Sequence, residues 1–297
     1  MTMTRTRAWI LATRPRTLTA ASAPVVAGTG FAASDGVFAM GPAIAALVGA
    51  LLIQIGTNLA NDYYDFIKGG DTAERVGPIR VTQAGLLSPK AVWWGMALTL
   101  GAAFLTGVYL VAVGGWPVLV IGLLSLLFAV AYTGGPYPLS YHGLGDVAVF
   151  LFFGLAATAT TYYVQALTWS PGALLAGVGM GAFSTAILVV NNLRDRETDG
   201  AAGKRTLAVR FGDRFTVGQY VVCLAVAAAV PVAGIASLAW SPWTLLALIG
   251  LAPCRPAFQR VRDYENRPAL NPALGLTARG VAFYGAGLAV GALVGVP

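Results

Sequence analysis

Two aspartates lie three positions apart in the segment 61–71, which directly follows a long apolar run. If the chain is helical here, Asp62 and Asp65 share one face of the helix, as do Asn61 and Asp65. Two carboxylates on one face repel each other unless a cation or a proton lies between them. The spacing therefore predicts a cation-binding site at the end of this run, with Asp71 as a further carboxylate of the same segment.

A second acidic segment, 191–199, has the same design. Asp195 and Asp199 are one helical turn apart, and they again follow an apolar run, with Asn192 just before them. Most of the chain's 12 acidic residues fall in or near the two segments: Asp62, Asp65, Asp71, Glu74, Asp195, Glu197, Asp199 and Asp213. Together the segments predict one shared divalent-metal site with four aspartate ligands: Asp62, Asp65, Asp195 and Asp199.

The ligand chemistry of this predicted site favours magnesium. Its candidate ligands are oxygens, the chain has a single histidine, and neither of its two cysteines lies near the acidic segments. Mg²⁺ prefers oxygen ligands and usually keeps several waters, so a few carboxylates suffice for each ion. Zinc, copper and iron more often take nitrogen or sulfur ligands, which argues against them.

Basic residues accompany both acidic segments, and five of them could neutralise a bound anion: Lys68, Arg75, Arg80, Lys204 and Arg205. A metal-bound diphosphate needs this combination, because Mg²⁺ bridges carboxylate and phosphate oxygens while Lys or Arg takes up the remaining charge. The simpler interpretation is that each segment is an ordinary solvated loop. That interpretation weakens for the pair, because Asn61 and Asn192 border apolar spans, where polar groups are costly unless they are used.

The whole chain has the composition of a membrane protein. Of its 297 residues 57% are hydrophobic and 10% are charged, and the mean hydropathy is +0.72, whereas soluble domains carry about 25% charged residues. The apolar runs are continuous rather than alternating, which argues against a β-barrel. The runs predict nine transmembrane helices in a single domain, 1–297, at residues 17–33, 40–59, 91–113, 117–132, 147–166, 172–190, 217–238, 242–257 and 273–296.

The distribution of basic residues supports this count. With nine spans the connections alternate between the two sides of the membrane, and all 19 lysines and arginines then belong to one side, with only Arg255 and Arg279 inside spans, near the same end. The positive-inside rule makes this side cytoplasmic, together with the N-terminus and both acidic segments. The net charge of +7 is therefore an orientation signal, and nucleic-acid binding is a poor interpretation because the cations are dispersed among acidic residues.

The acidic segments resemble the UbiA superfamily of intramembrane prenyltransferases. The segment 61–71 looks like the first aspartate-rich motif of that superfamily, and Asp195 with Asp199 looks like the second, Asp-x-x-x-Asp. Within the superfamily, four stretches resemble the branch that prenylates 1,4-dihydroxy-2-naphthoate: 12–18, 75–80, 132–138, and 191–195 with 204–210. The resemblance spans most of the chain.

This resemblance implies an all-α bundle of nine transmembrane helices around a cavity open to the cytoplasmic leaflet of the plasma membrane. The implied reaction transfers a polyprenyl group from a polyprenyl diphosphate to 1,4-dihydroxy-2-naphthoate with loss of CO₂, giving demethylmenaquinol. The four aspartates would hold Mg²⁺ on the diphosphate, assisted by Asn61 and Asn192. Further substrate contacts would come from the five basic residues named above and from Asp71, Arg16 and Tyr137.

The chain departs from the superfamily pattern at two places. Gly69 stands where the first motif often has its third aspartate, and the next carboxylate is Asp71. Tyr137 is followed four residues later by Tyr141, where many relatives have a lysine, so no lysine role is carried over. His142 is either a surface polar residue or a substrate contact, and Asp146 is either a helix N-cap or a polar group of the site.

Two alternative functions stay open at this point. A related enzyme could prenylate another acceptor, such as 4-hydroxybenzoate or homogentisate, although the segments 132–138 and 191–210 favour the naphthoate. A cation-coupled transporter would place its acidic residues near the middle of the membrane and often has an inverted repeat. Here the acidic residues lie at the ends of spans on one side, which favours the enzyme.

Overall fold

The computed structural model describes residues 3–69 and 76–294, and every regular element within these ranges is helical. The predicted all-α fold class is therefore confirmed. Two of the predicted site residues, Asp71 and Arg75, lie outside the described residues.

The first apolar run is preceded by a short helix. This helix, α1 (Arg5–Thr13), is capped by Thr4, whose hydroxyl accepts a hydrogen bond from the backbone amide of Arg7. A 3₁₀ turn (Pro15–Thr17) then leads into α2 (Leu18–Ser34). The N-terminal segment thus forms a separate polar element before the first apolar helix.

The next helix, α3 (Met40–Ile67), does not end where its apolar run ends. It continues through Asp62 and Asp65 because residues 57–68 contain neither glycine nor proline. Gly69 then takes a φ of +68°, the left-handed conformation that commonly follows a helix. The predicted helical face carrying Asp62 and Asp65 is therefore present.

Four helices form the middle of the chain: α4 (Pro89–Gly114), α5 (Trp116–Ala131), α6 (Gly145–Phe150) and α7 (Ala157–Ala166). A glycine with a φ of +71°, Gly115, separates α4 from α5. A π-helical turn (Leu151–Ala156) joins α6 and α7 into one apolar stretch. Such turns are rare and often lie near functional sites.

The following helix, α8 (Pro171–Arg194), is the most deeply buried of the long apolar helices. It lies very close to the π-helical turn, since a Cβ placed on Gly154 would lie 2.3 Å from the Cα of Gly181. Such close approach through small residues is characteristic of membrane helices. A short helix, α9 (Arg196–Ala201), follows α8 directly, so that Asp195 lies at the junction of two helices.

The chain ends with three further α-helices: α10 (Leu207–Leu238), α11 (Cys254–Arg262) and α12 (Leu270–Val294). The predicted eighth span, 242–257, is not a single α-helix, because Pro242–Leu251 is a 3₁₀ helix and α11 begins after it. Pro253 and Pro256 lack the backbone N–H that a continuous α-helix needs here.

Six helical stretches of the described chain are long and apolar enough to cross a membrane: Met40–Ile67, Pro89–Gly114, Gly145–Ala166, Pro171–Arg194, Leu207–Leu238 and Arg267–Val294. Trp116–Ala131 and Pro242–Leu251 are apolar but shorter. The protein is therefore a multi-pass membrane protein, and the count of nine spans stays a prediction.

Candidate active site

The two acidic segments meet in the folded chain. The Nζ atom of Lys204 lies 3.1 Å from Oδ1 of Asp65, near the end of α3, and 3.6 Å from Oδ1 of Asp199, in α9. Four aspartates of these segments are each 8% exposed or less: Asp62, Asp65, Asp195 and Asp199. One ammonium group therefore connects buried carboxylates of both segments.

Asp65 is the carboxylate on which most of the site converges. In addition to Lys204, it accepts a hydrogen bond at Oδ2 from Nη2 of Arg80 at 3.0 Å, and one at Oδ1 from the hydroxyl of Tyr141 at 3.3 Å. Arg80 is buried as well, and solvent screens buried charge pairs much less than exposed ones. Arg80 and Lys204 thus both contact an aspartate of the first acidic segment, and their predicted role in neutralising a bound anion stays a prediction.

Asp62 has a different environment from Asp65. Its Oδ2 accepts a hydrogen bond from the backbone amide of Val81 at 3.1 Å, and its Oδ1 accepts one from the amide of Thr82 at 2.9 Å. These two residues directly follow Arg80 in the chain. The two aspartates of α3 therefore contact the backbone and the side chain of one short segment.

Asp195 is paired with its neighbour in sequence, Arg194. Nε and Nη2 of the guanidinium donate to the two carboxylate oxygens at 2.8 and 2.7 Å, the two-point geometry of a strong charged pair. The same guanidinium donates to Oδ1 of Asn191 at 2.7 Å and of Asn271 at 3.1 Å. Asn271 in turn donates to the carbonyl of Val76 at 2.9 Å. The end of α8 is thereby tied to α12 and to the loop after the first acidic segment.

Lys68 lies beside the cluster and binds backbone carbonyls. Its Nζ donates to the carbonyl oxygen of Thr133 at 2.8 Å and lies 3.5 Å from that of Gly135. Burial lowers the pKa of Lys68; the negative charge of Asp65 opposes this shift, and the positive charge of Lys204 adds to it. Lys68 therefore loses its proton at a lower pH than an ordinary lysine.

Tyr141 lies at the centre of the site, although sequence reasoning assigned it no role. The Nζ atoms of Lys68 and Lys204 lie 5.1 and 5.2 Å from the centroid of its ring, distances typical of cation–π contacts. Its hydroxyl donates to Asp65. The available signal was its spacing of four residues from Tyr137, where many relatives have a lysine.

The two predicted asparagines lie at the ends of the helices that carry the acidic segments. Oδ1 of Asn61 accepts a hydrogen bond from the hydroxyl of Thr133 at 2.9 Å, and Asn192 is buried. Asn61 and Lys68 thus both contact Thr133, in the glycine-rich segment 132–138. The first acidic segment therefore holds this loop in place.

Three other predicted site residues have exposed side chains: Arg16, Tyr137 and Arg205. The backbone amide of Arg205 donates to the carbonyl of Tyr141 at 2.9 Å. The ring of Tyr137 stacks on the ring of His142, with centroids 3.6 Å apart. The substrate contacts of Arg16, Tyr137 and Arg205 stay predictions.

The N-cap interpretation of Asp146 is wrong. Leu144 occupies the N-cap position of α6, and Asp146 lies inside the first turn because the helix begins at Gly145. The carboxylate is buried, and its Oδ1 accepts a hydrogen bond from Nε2 of Gln219 at 2.9 Å. Asp146 therefore links α6 to α10.

The aspartates fit a magnesium ion that takes its remaining ligands from phosphate oxygens and waters. No set of three or more His, Cys, Asp or Glu side chains within residues 3–69 and 76–294 is arranged to hold a metal by itself. Mg²⁺ is commonly bound through one or two carboxylates together with phosphate oxygens and waters. Asp65 and Asp199 supply two such carboxylates. They lie close enough together for one cation, the ammonium group of Lys204, to contact both.

An apolar cavity of about 300 Å³ lies between α2, α3, α4, α5 and the stretch α6–α7. Aliphatic and aromatic side chains dominate its lining, with Gln54, Thr57 and Tyr132 among the polar exceptions. On α3, Thr57 lies one turn before Asn61, so the polar lining of that helix lies toward the acidic segment. The apolar lining of the cavity suits a hydrocarbon chain.

The described chain thus combines buried carboxylates from two segments, cations beside them and an apolar cavity in one membrane bundle. The chain belongs to the UbiA prenyltransferase family, whose family model matches residues 21–294. The predicted membership of this superfamily is confirmed.

Relatives named 1,4-dihydroxy-2-naphthoate octaprenyltransferase match most of the chain. The protein of Mycobacterium tuberculosis is 40% identical over 266 residues, which cover 90% of each sequence. The protein of Escherichia coli K12 is 39% identical over 75% of this chain and 74% of the relative. The protein of Bacillus subtilis 168 is 33% identical over 95% of this chain and 91% of the relative.

Solved structures of UbiA homologues have the same fold. The apo structure of a homologue from Aeropyrum pernix K1 superposes with a TM-score of 0.67 at 17% identity, covering 92% of this chain and 97% of the other. A homologue from Archaeoglobus fulgidus, bound to DMAPP and Mg²⁺, gives a TM-score of 0.61 at 14% identity, covering 91% and 98%. At these identities the likeness establishes the fold alone.

Proposed function

We propose that this protein transfers a polyprenyl group from a polyprenyl diphosphate to 1,4-dihydroxy-2-naphthoate with loss of CO₂, giving demethylmenaquinol. The observation that carries the proposal is the contact of Lys204 with both Asp65 and Asp199. This contact brings carboxylates of two segments and a cation to one point, as a diphosphate site requires. The naphthoate acceptor is supported by relatives up to 40% identical that carry that name.

Mg²⁺ is the proposed cofactor, and bound to the diphosphate it would supply Lewis-acid stabilisation of the charge that develops there. Asp65 and Asp199 would hold it, with Asp195, Asn61 and Asn192 at the same end of the bundle. Carboxylate and amide oxygens are the ligand atoms that Mg²⁺ prefers. The Mg²⁺ ions in the structures of UbiA homologues with prenyl diphosphates support this choice for the family.

The basic residues would neutralise the departing pyrophosphate. Arg80 and Lys204 already contact Asp65, while Lys68 and Lys204 both lie about 5 Å from the centroid of the Tyr141 ring. When the bond between the prenyl carbon and the diphosphate oxygen breaks, the electron pair leaves with the pyrophosphate. Preplaced cations stabilise this charge without the cost of reorganising solvent.

The acceptor ring would then attack the allyl cation. A carbon–carbon bond forms at the carboxylated ring carbon, and CO₂ leaves while its bonding electron pair restores the aromatic ring. The carboxylate of the acceptor suits an arginine such as Arg16 or Arg80. The apolar cavity beside the site would hold the prenyl chain away from water.

In this proposal the protein lies in the plasma membrane with both acidic segments facing the cytoplasm. The supporting observation is that the basic residues fall on one side of the nine predicted spans. Both substrates would then enter from the cytoplasmic leaflet and the cytoplasm.

A panel of acceptors tests the proposal. The purified protein, with Mg²⁺ and a polyprenyl diphosphate, is expected to prenylate 1,4-dihydroxy-2-naphthoate at least about tenfold more efficiently in kcat/KM than 4-hydroxybenzoate or homogentisate. Efficient turnover of one of the other acceptors beside none of the naphthoate would assign the chain to another member of the family. Heat-treated protein serves as the control for non-enzymatic alkylation.

A further inference from the structure

Asp62 and Asp65 lie on one face of α3 yet contact different atoms of the short segment 80–82. Asp65 accepts a hydrogen bond from the guanidinium of Arg80 at 3.0 Å. Asp62 accepts hydrogen bonds from the backbone amides of Val81 and Thr82, one on each carboxylate oxygen. The two carboxylates thus hold the same segment, one through its backbone and one through its guanidinium.

This segment is built as a fixed turn. The amide of Ala84 donates to the carbonyl of Arg80 at 2.9 Å, and the amide of Leu86 donates to the carbonyl of Val81 at 2.9 Å. Val81 is fully buried in an apolar cluster with Leu59 of α3 and other side chains. The carboxylate of Asp62 lies beside this cluster and supplies the acceptors for two amides of the turn, which would otherwise be costly to bury.

We propose that Asp62 is a positioning residue, which fixes the backbone of segment 80–82 and thereby holds Arg80 on Asp65, and that it is not a metal ligand. From sequence alone Asp62 is predicted as a ligand, but each of its oxygens accepts a backbone amide of the turn. The partners of Asp65 are side chains, which can rotate away to admit a metal, whereas the amides of the turn cannot. The proposal rests on the proposed function, in which Arg80 helps to bind the diphosphate.

Limited proteolysis tests the positioning role without measuring activity. Trypsin cleaves after arginine, and the Arg80–Val81 bond lies in the turn that Asp62 holds. Asp62→Asn replaces one acceptor oxygen with an amide that cannot accept, so the turn opens more often. Because cleavage follows the population of the open form, cleavage after Arg80 should accelerate by about tenfold or more. Cleavage after the exposed Arg210 reports any general loosening of the protein.

Asp65→Asn is the matched control for this experiment. It releases the guanidinium of Arg80 but leaves both amide contacts of Asp62 in place. Because the backbone of the turn is still held, cleavage after Arg80 should accelerate at least about threefold less in this variant than in Asp62→Asn. Equal acceleration in the two variants, or none in Asp62→Asn, would overturn the positioning role.

The metal question is decided by magnesium titrations of prenyl transfer. Asp62→Asn should raise the KM for the diphosphate while the half-saturating Mg²⁺ concentration stays within about threefold of wild type, because its ligand set is intact. A rise of about tenfold or more in half-saturating Mg²⁺ would identify Asp62 as a ligand and overturn the proposal. If the wild-type protein forms no prenylated product, the proposed function fails, while the proteolysis result still decides whether Asp62 positions the turn.

Discussion

The ammonium group of Lys204 lies 3.1 Å from a carboxylate oxygen of Asp65, and both side chains are buried. This pair connects the loop after α9 to the end of α3, two parts of the chain that are far apart in sequence. A buried charge is costly unless it is partnered, so the pair is stable only when both segments are correctly placed. The contact between Lys204 and Asp65 therefore forms only when the two acidic segments have come together.

Loss of either carboxylate that contacts Lys204 should disable the enzyme. We expect Asp65→Asn and Asp199→Asn each to lower kcat/KM by about 10²–10³, since a ligand for transition-state charge is removed. EDTA should abolish wild-type activity, and Mg²⁺ should restore it. The exposed Asp263 offers a matched control, and Asp263→Asn should keep normal kinetics. Near wild-type turnover of either site variant at saturating Mg²⁺ would remove that residue from the ligand set.

The pH dependence of kcat/KM should show the titration of Lys68. Its pKa lies below the ordinary lysine value of 10.5 because partial desolvation, together with the charge of Lys204, outweighs the opposing charge of Asp65. Since the charged form is the one that helps to bind the diphosphate, kcat/KM should fall as the pH rises through this lowered pKa, before an ordinary lysine would titrate. Lys68→Arg keeps its charge at alkaline pH and should move the falling limb to higher pH. An unchanged limb would show that another group causes it.

The lowered pKa of Lys68 affects folding stability in the direction opposite to its effect on activity. Because the folded state lowers the pKa of Lys68, the unfolded chain binds more protons between the two pKa values. The free energy of unfolding therefore gains a contribution as the pH rises through that window, even as activity declines. Activity and stability should thus respond in opposite directions, which separates a titration in the site from general alkaline unfolding.

The crossing of the π-helical turn with α8 should be sensitive to one added methyl group. A Cβ on Gly154 would lie 2.3 Å from the Cα of Gly181, so Gly154→Ala forces the two backbones apart. Overpacking of this kind typically costs about 1–3 kcal/mol, and we expect a lower Tm in detergent. Gly218→Ala in α10 meets no atom within 4 Å and is the matched control. If the two variants melt alike, the close contact is not a determinant of stability.

The orientation proposal can be checked with reporter fusions. A reporter that is active only in the cytoplasm should give signal when fused after Gly70 and none when fused after Pro297. This result follows from nine spans and from basic connections on the cytoplasmic side. The same signal at both positions would mean that the span count is off by one.

Local features of the site could be predicted from the sequence because they depend on helical periodicity. Asp62 and Asp65 share a face once α3 continues past its apolar run, and residues 57–68 contain nothing that would stop it. The meeting of the two acidic segments was likewise predictable from their common position at the ends of apolar runs. Neither prediction required knowledge of how the helices pack.

Other features depend on tertiary packing, and helical periodicity does not predict them. Tyr141 belongs to the site because Lys68 and Lys204 approach its ring from different parts of the chain. Asp62 faces two amides of a loop whose path no local pattern specifies. The 3₁₀ geometry of Pro242–Leu251 was hidden because its apolar composition is the same as that of an α-helical span.

The release of CO₂ tests the central claim most directly. In the proposed reaction each prenylation expels the carboxyl group of the acceptor, whereas prenylation at an unsubstituted ring carbon would retain it. Carboxyl-labelled 1,4-dihydroxy-2-naphthoate, incubated with the purified protein, Mg²⁺ and a polyprenyl diphosphate, should release labelled CO₂ in step with prenylated product. Asp65→Asn protein should release almost none. A prenylated product that retains the label, or absence of turnover of this acceptor beside rapid turnover of 4-hydroxybenzoate, would contradict the account.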